Sequence, residues 1–341
     1  TLLNFGEKGG AVGDLVGEEG RGLAAMFHMM NEARIGVGLG ATMLGYTGYL
    51  HALEYARSRP QGRPIGPAGK DPAQPQVRII EHADVKRMLL AQKAYAEGAL
   101  GLNLYCARLI DEERTAADEQ ARRDATLLLD ILTPIAKSWP SEWCLEANSL
   151  AIQVHGGYGY TRDFPVEQHW RDNRLNMIHE GTHGIQGLDL LGRKVVMQDG
   201  AALKLLARRI RTTIDASLRV PALAPQARQL SMALQALESA TRAAWVNGLP
   251  EEALANATPY LQAFGHTVLA WLWLDVGQVC GALLDAASSD TPSDTPSDNA
   301  LHGKLAAMRY FFAYELPKID AWLLAVASRQ GVCRDMQDHW F

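Results

Sequence analysis

The chain has 341 residues, of which 48% are apolar, and carries a formal net charge of −5. That length makes two domains, or one large one, with a sizeable core. The negative balance argues against non-specific affinity for nucleic acid or anionic membrane. No apolar run reaches the ~20 residues of a membrane span, and the first residues lack the charged, apolar and small-residue order of a signal peptide. The four cysteines (Cys106, Cys144, Cys280, Cys333) are far apart and form no CxxC. They read as reduced thiols of a cytoplasmic protein.

In chain order, the opening TLLNFGEKGG has no initiator Met and reads as strand and turn. It suggests a piece whose N-terminal part lies outside the sequence. Residues 4–22 are Gly-rich and expected to hold one or two short strands. From there the spacing of apolar residues is helical. A long helix is predicted over 23–59, with Ile35, Leu39, Met43, Tyr46, Leu50 and Leu53 on one face. Its glycines at 36, 38, 40, 45 and 48 weaken helix propensity and suit close approach of another helix or a ligand. PQGRPIGPAGKDPAQPQ (60–76) is a loop. Helices are predicted over 79–113, 118–137, 141–155 and, after Pro165, 166–178. Four long helices with short connections make an antiparallel up-down bundle.

After Met197 the composition turns Ala- and Leu-rich, with helices predicted over 200–217, 225–247, 250–287 and 299–328. SSDTPSDTPSD (288–298) is a polar tandem repeat expected to form a surface loop. The fold class is therefore all-α. Residues 1–22 form the tail of a β region, 23–198 a four-helix bundle, and 199–341 a second helical domain whose Trp245, Trp271, Trp273, Trp322 and Trp340 serve packing.

Three stretches carry residues that an ordinary bundle does not need. EYARSRPQG (54–62) places Arg57 and Arg59 at a helix C-terminus, where they complement the dipole or grip a phosphate. QVHGGYGY (153–160) could be a C-cap. Its consecutive glycines could equally let backbone amides approach a phosphate or a ring edge. IHEGTHGIQ (178–186) sets Glu180 before a Gly-Thr step, either as a solvated helix end or as a base aimed into a pocket. Histidines 155, 179 and 183 have no regular ligand spacing, so no metal site is assigned.

Together these stretches resemble the C-terminal part of the acyl-CoA dehydrogenase family. QVHGGYGYTRDFPVEQHWRDNRLNMIHEGTHGIQ (153–186) is similar to the family signature, a Gln-x-x-Gly-Gly-x-Gly-Tyr turn, an Arg-Asp pair and a Glu-Gly-Thr. Residues 31–66 resemble the first bundle helix and its closing Arg-x-Gln element, here RPQG without the aromatic many members carry before the Gly. Residues 16–27 resemble the passage out of a middle β-domain, and the region after about 200 resembles the extension of a larger subfamily that includes the 3-methylmercaptopropionyl-CoA dehydrogenase type.

The resemblance implies FAD-dependent α,β-dehydrogenation of an acyl-CoA thioester, an activity of fatty acid metabolism. Glu180 would be the catalytic base. Arg59 and Gln61 would reach the flavin of a neighbouring subunit, and Gln153, Gly156 and Gly157 its pyrophosphate or adenosine part. Thr182 and Gly184 would contact FAD beside Glu180, while Arg34 and Gly181 would lie by the substrate. It further implies a homodimer or homotetramer and an electron-transfer flavoprotein as electron acceptor. Without the family's N-terminal half, this chain is expected to be inactive alone and flavin-free. Two rivals stand beside this reading. One is a non-catalytic homologue that binds DNA through the basic run KLLARRIRTT (204–213). The other is a helical assembly module with a degenerate site.

Overall fold

The computed structural model describes residues 2–287 and 296–341. Among the described residues there is no strand. The segment 2–21 is exposed turn and coil, which corrects the expected β remnant. A strand needs a paired neighbour for its N–H and C=O groups, and none lies beside this segment. The expected loop 288–298 falls outside the described residues over 288–295.

The first half is built on α1 (Gly22–Ser58), α2 (Ala83–Thr115) and α3 (Glu119–His155), each packed on the other two. Asp118 starts α3 by accepting from the Gln120 and Ala121 N–H groups. The predicted break between 137 and 141 is absent, and one helix runs through Pro134 and Pro140. Each proline removes a helix hydrogen bond. Burial of the whole stretch from Ile131 to Ser141 holds the helix together there. Pro140 has no N–H for the Ala136 carbonyl, and that carbonyl faces Gly38 of α1. A Cβ at Gly38 would stand 1.9 Å from its oxygen, so α1 lies against α3 through a Cα–H contact.

Gly45 and Gly48 repeat the close approach at Cys144 and Asn148, whereas Gly36 and Gly40 face open space. These pairings make α1 parallel to α3. Thr42 against Asn103 and Glu32 against Arg114 make α1 antiparallel to α2. The fourth member is an interrupted run: α4 (Val166–Arg174) crosses to α5 (His183–Asp189), a π turn (Leu190–Lys194) and α6 (Met197–Leu218). It descends α3, with Gly181 at Lys137 and Lys194 bonded to Asp130, and completes an up-down-up-down bundle. Gln198, Asp199 and Gly200 take positive φ and turn the chain at the start of α6.

The second half continues through α7 (Ala224–Ala244), α8 (Pro250–Ala253), α9 (Ala257–Ala287), α10 (Pro296–Tyr310) and α11 (Ile319–Ala327). One apolar core runs through both halves, from Leu102, Leu132 and Trp139 to Leu234, Phe264, Trp273 and Phe311. The helical run Pro250–Ala286 is long and apolar enough to span a membrane, which corrects the expectation that no such stretch exists. Tyr260, Phe264, Leu269, Trp273 and Leu274 of this run are buried in the shared core. Trp271 and Trp273 pack as expected, while Trp340 is 62% exposed.

Candidate functional site

Two clusters of the expected residues stand at different levels of the bundle. The first surrounds Glu180. The chain leaves α4 through a short turn at Leu175–Met177 and reverses at Glu180 and Gly181, whose φ values are +57° and +96°. Positive φ costs an L-residue energy, so Glu180 is held there by its surroundings. The buried Gln186 side chain donates to the Glu180 carbonyl at 2.8 Å. The Lys137 ammonium, fully buried on α3, donates to the Gly181 carbonyl at 2.6 Å. A Cβ at Gly181 would stand 2.6 Å from the Gln186 amide nitrogen.

Thr182 then caps α5 through its carbonyl, which accepts from the Gln186 N–H at 3.0 Å. Its side chain makes no cap bond and is exposed, as is Gly184. Arg34 is buried on α1 and donates to Asp189 at 3.2 Å, with its Nε unpartnered. His183 lies behind the turn, its Nδ1 3.7 Å from the Glu142 carboxylate and both ring nitrogens without a hydrogen bond. Burial, with Lys137 and Arg174 nearby, holds this imidazole down at about 4.

The second cluster closes the other end of α1 and α3. Arg59 ends α1 at φ −81° and ψ 113°, and its carbonyl accepts from the Ile79 N–H at 2.9 Å. Gln61 donates its backbone N–H to Val77, and its carbonyl bonds His82 Nε2 at 2.8 Å. These bonds set Arg59 and Gln61 along a groove of about 420 Å3 that includes Gln153, His155 and Gly156. The Arg59 Nε is buried and unpartnered, and the guanidinium lies 5.7 Å from the Tyr158 ring centre.

Gly156 ends α3 at φ +62°, and a Cβ at Gly156 or Gly157 would meet nothing within 4 Å. The packing glycine of the run is Gly159, tight against the Ile152 carbonyl. His155 is buried by stacking on Tyr55 at 4.4 Å.

The structure therefore brings Glu180, Gly181 and Arg34 together, and separately Arg59, Gln61, Gln153, Gly156 and Gly157. Sixteen residues of α3 separate Lys137 from Gln153, about 24 Å of helix. Arg171 and Asp172 are exposed, with Arg171 paired to Glu167 at 3.0 Å. Among the described residues no metal-ligand cluster forms. In the basic run, Arg208 and Arg209 lie on an exposed face and Arg211 is bound to Glu238 at 2.6 and 2.7 Å. Sequence reasoning missed Lys137, Gln186 and Asp189. The available signal was a lone Lys inside the apolar run ILTPIAKSW.

Two family models match the chain. "Acyl-CoA dehydrogenase, C-terminal domain" covers residues 20–195, and "Acetyl-CoA dehydrogenase C-terminal like" covers 206–337. A 3-methylmercaptopropionyl-CoA dehydrogenase from Ruegeria pomeroyi is 37% identical over 76% of this chain and 44% of its own length. Among solved structures, Caenorhabditis elegans ACDH-11 in complex with C11-CoA aligns with a TM-score of 0.69 at 18% identity, over 95% of this chain and 50% of that one. An acyl-CoA dehydrogenase complexed with FAD from Bacillus anthracis aligns at 0.61 and 17%, over 92% and 54%. The chain spans about half the length of the curated relatives it matches.

Proposed function

The chain belongs to the acyl-CoA dehydrogenase family, and from that premise we propose that it carries the proton-abstracting part of an FAD-dependent α,β-dehydrogenation of an acyl-CoA thioester. The observation that carries this reading is the Glu180 turn. A carboxylate is held at φ +57° by a buried amide on its own carbonyl and a buried ammonium on the next. Such an arrangement fixes a base in one place without occupying its carboxylate oxygens. The names of the relatives, which include broad-specificity linear acyl-CoA and butyryl-CoA dehydrogenases, support the substrate class.

The residues of the second cluster fit FAD. The Arg59 Nε is a buried donor without a partner among the described residues, a state that costs free energy unless a ligand relieves it. Gly156 and Gly157 leave room for a close approach that no packing contact uses. We assign Arg59, Gln61, Gln153, Gly156 and Gly157 to hold one end of FAD, and Thr182 and Gly184 to touch FAD beside Glu180. When bound, FAD supplies the acceptor for the β-hydrogen as hydride.

Glu180 takes the α-proton on a carboxylate oxygen, a transfer that requires the base within hydrogen-bond reach of the α-carbon. Gly181 of this turn and Arg34 of α1, which is paired with Asp189 at the end of α5, would border the substrate. The ~24 Å of α3 between the clusters supports a cofactor site completed by a second copy, as a homodimer or homotetramer. An electron-transfer flavoprotein would then take the electrons. The unpaired cysteines are compatible with a reducing cytoplasm.

The test is Glu180→Gln in the complete gene product, assayed with a series of acyl-CoAs and an artificial electron acceptor. Loss of the base lowers turnover by roughly 10²- to 10⁴-fold. Unchanged turnover refutes the assignment.

A further inference from the structure

We propose that Lys137 is a positioning residue for the Glu180 base, acting through the Gly181 carbonyl; this rests on the reading of Glu180 given above. Lys137 lies in the fully buried stretch of α3, between Ala136 and Ser138. A lysine there is costly unless its ammonium is used, and packing alone would be served by a methionine or leucine. Among the described residues the ammonium forms no ion pair; its hydrogen bond goes to a neutral backbone oxygen, that of Gly181 at 2.6 Å. That oxygen belongs to the residue following the base, in a turn where Glu180 and Gly181 both have positive φ. The bond therefore reaches the strained step that decides where the carboxylate stands.

The ammonium is also flanked by charged groups. Lys137 is in the field of Arg34 from α1, which disfavours its protonated form, and of Glu180, which favours it. His183 of α5 feels Lys137 and Arg174 together. Glu142 of α3, 3.7 Å from His183, accepts from Gln262, and Asp189 of α5 is paired with Arg34. Burial and Arg34 bring Lys137 down to about 8, so the ammonium is charged at neutral pH. Lys137 thus anchors the turn with a buried, charged donor.

The experiment compares Lys137→Met, Lys137→Gln and Glu180→Gln in the complete, flavin-loaded gene product. Flavin content and thermal transition are measured beside kcat and KM. Met removes donor and charge at nearly equal length; Gln keeps an N–H donor without charge. The expected result is a fall in kcat of about 10- to 100-fold for Lys137→Met, with KM within about threefold. Lys137→Gln, which keeps a donor for the Gly181 carbonyl, should recover part of kcat, with flavin content and thermal transition as in wild type.

Wild-type kcat in both variants, beside an inactive Glu180→Gln, overturns the positioning role alone. Wild-type turnover in Glu180→Gln overturns the base assignment and this inference with it. Variants that lose flavin and the folding transition make Lys137 a folding residue, which also overturns the proposal.

Discussion

Replacing Gly181 by alanine perturbs the Glu180 turn at its tightest point. Gly181 has φ +96°, and the added methyl would stand 2.6 Å from the Gln186 amide nitrogen and 3.4 Å from the Ile185 side chain. Forcing an L-residue to positive φ costs about 1–2 kcal/mol. Gln186 is buried, so its amide must move off the Glu180 carbonyl it bonds at 2.8 Å, at a cost of about 0.5–1.5 kcal/mol. The two effects add to about 1.5–3.5 kcal/mol. For 341 residues the unfolding entropy near the midpoint is about 0.7 kcal/mol/K, so Tm should fall by about 2–5 °C. With Glu180 as the proposed base, turnover of the complete gene product should fall by roughly 100-fold, because its carboxylate is displaced by a fraction of an ångström or more.

Differential scanning calorimetry and steady-state assays measure the two effects. Gly40→Ala is the comparison, an exposed helical glycine with open space at its Cβ. It should stabilise by up to about 1 kcal/mol. A Gly181→Ala protein with Tm within about 1 °C of wild type and unaltered kcat would refute the account of the turn.

Two further outcomes follow from the same packing. Asn148 is fully buried and ties three elements, donating to the Leu44 carbonyl at 2.9 Å and accepting from Asn173 at 2.8 Å. Asn148→Leu should destabilise by about 1–3 kcal/mol, because the buried Asn173 amide is left with only its bond to the Ala41 carbonyl at 3.1 Å and the Leu44 carbonyl loses its side-chain donor, and chemical denaturation will show it. Acidification should destabilise the fold through His183, held at about 4 against its usual 6.5. Between these values the unfolded chain binds the extra proton, so the His183 contribution is intact above about pH 6.5 and lost as pH falls toward 4. His183→Asn should flatten the dependence of the urea midpoint on pH across that window; an unchanged slope would contradict the burial of a neutral imidazole.

The candidate site residues were legible because their motifs are local. A Glu before Gly-Thr, and a Gln followed by paired glycines, sit within short stretches, and the structure gives each a turn that its glycines permit. Lys137 was hidden because its importance depends on what faces it. In the sequence it is one cation among apolar neighbours, and 44 residues separate it from the carbonyl it bonds. The same holds for Asp189, which meets Arg34 across 155 residues, and for Gln186, whose spacing from Glu180 could not tell a buried amide from an exposed one.

The all-helical class and the approximate helix limits were determined by the sequence itself. Apolar periodicity, proline and glycine act on near neighbours, and near neighbours are what a helix consults. The tertiary structure decided what local rules oppose or leave open. It kept α3 continuous through Pro134 and Pro140, because burial on every side outweighs two missing hydrogen bonds. It left 2–21 without a strand, because a strand requires a partner. It chose Gly38, Gly45 and Gly48, and not Gly36 or Gly40, as the contact glycines of α1, since only those meet α3. It also buried a lysine beneath the Glu180 turn, a contact between distant segments that exists only once the chain has packed.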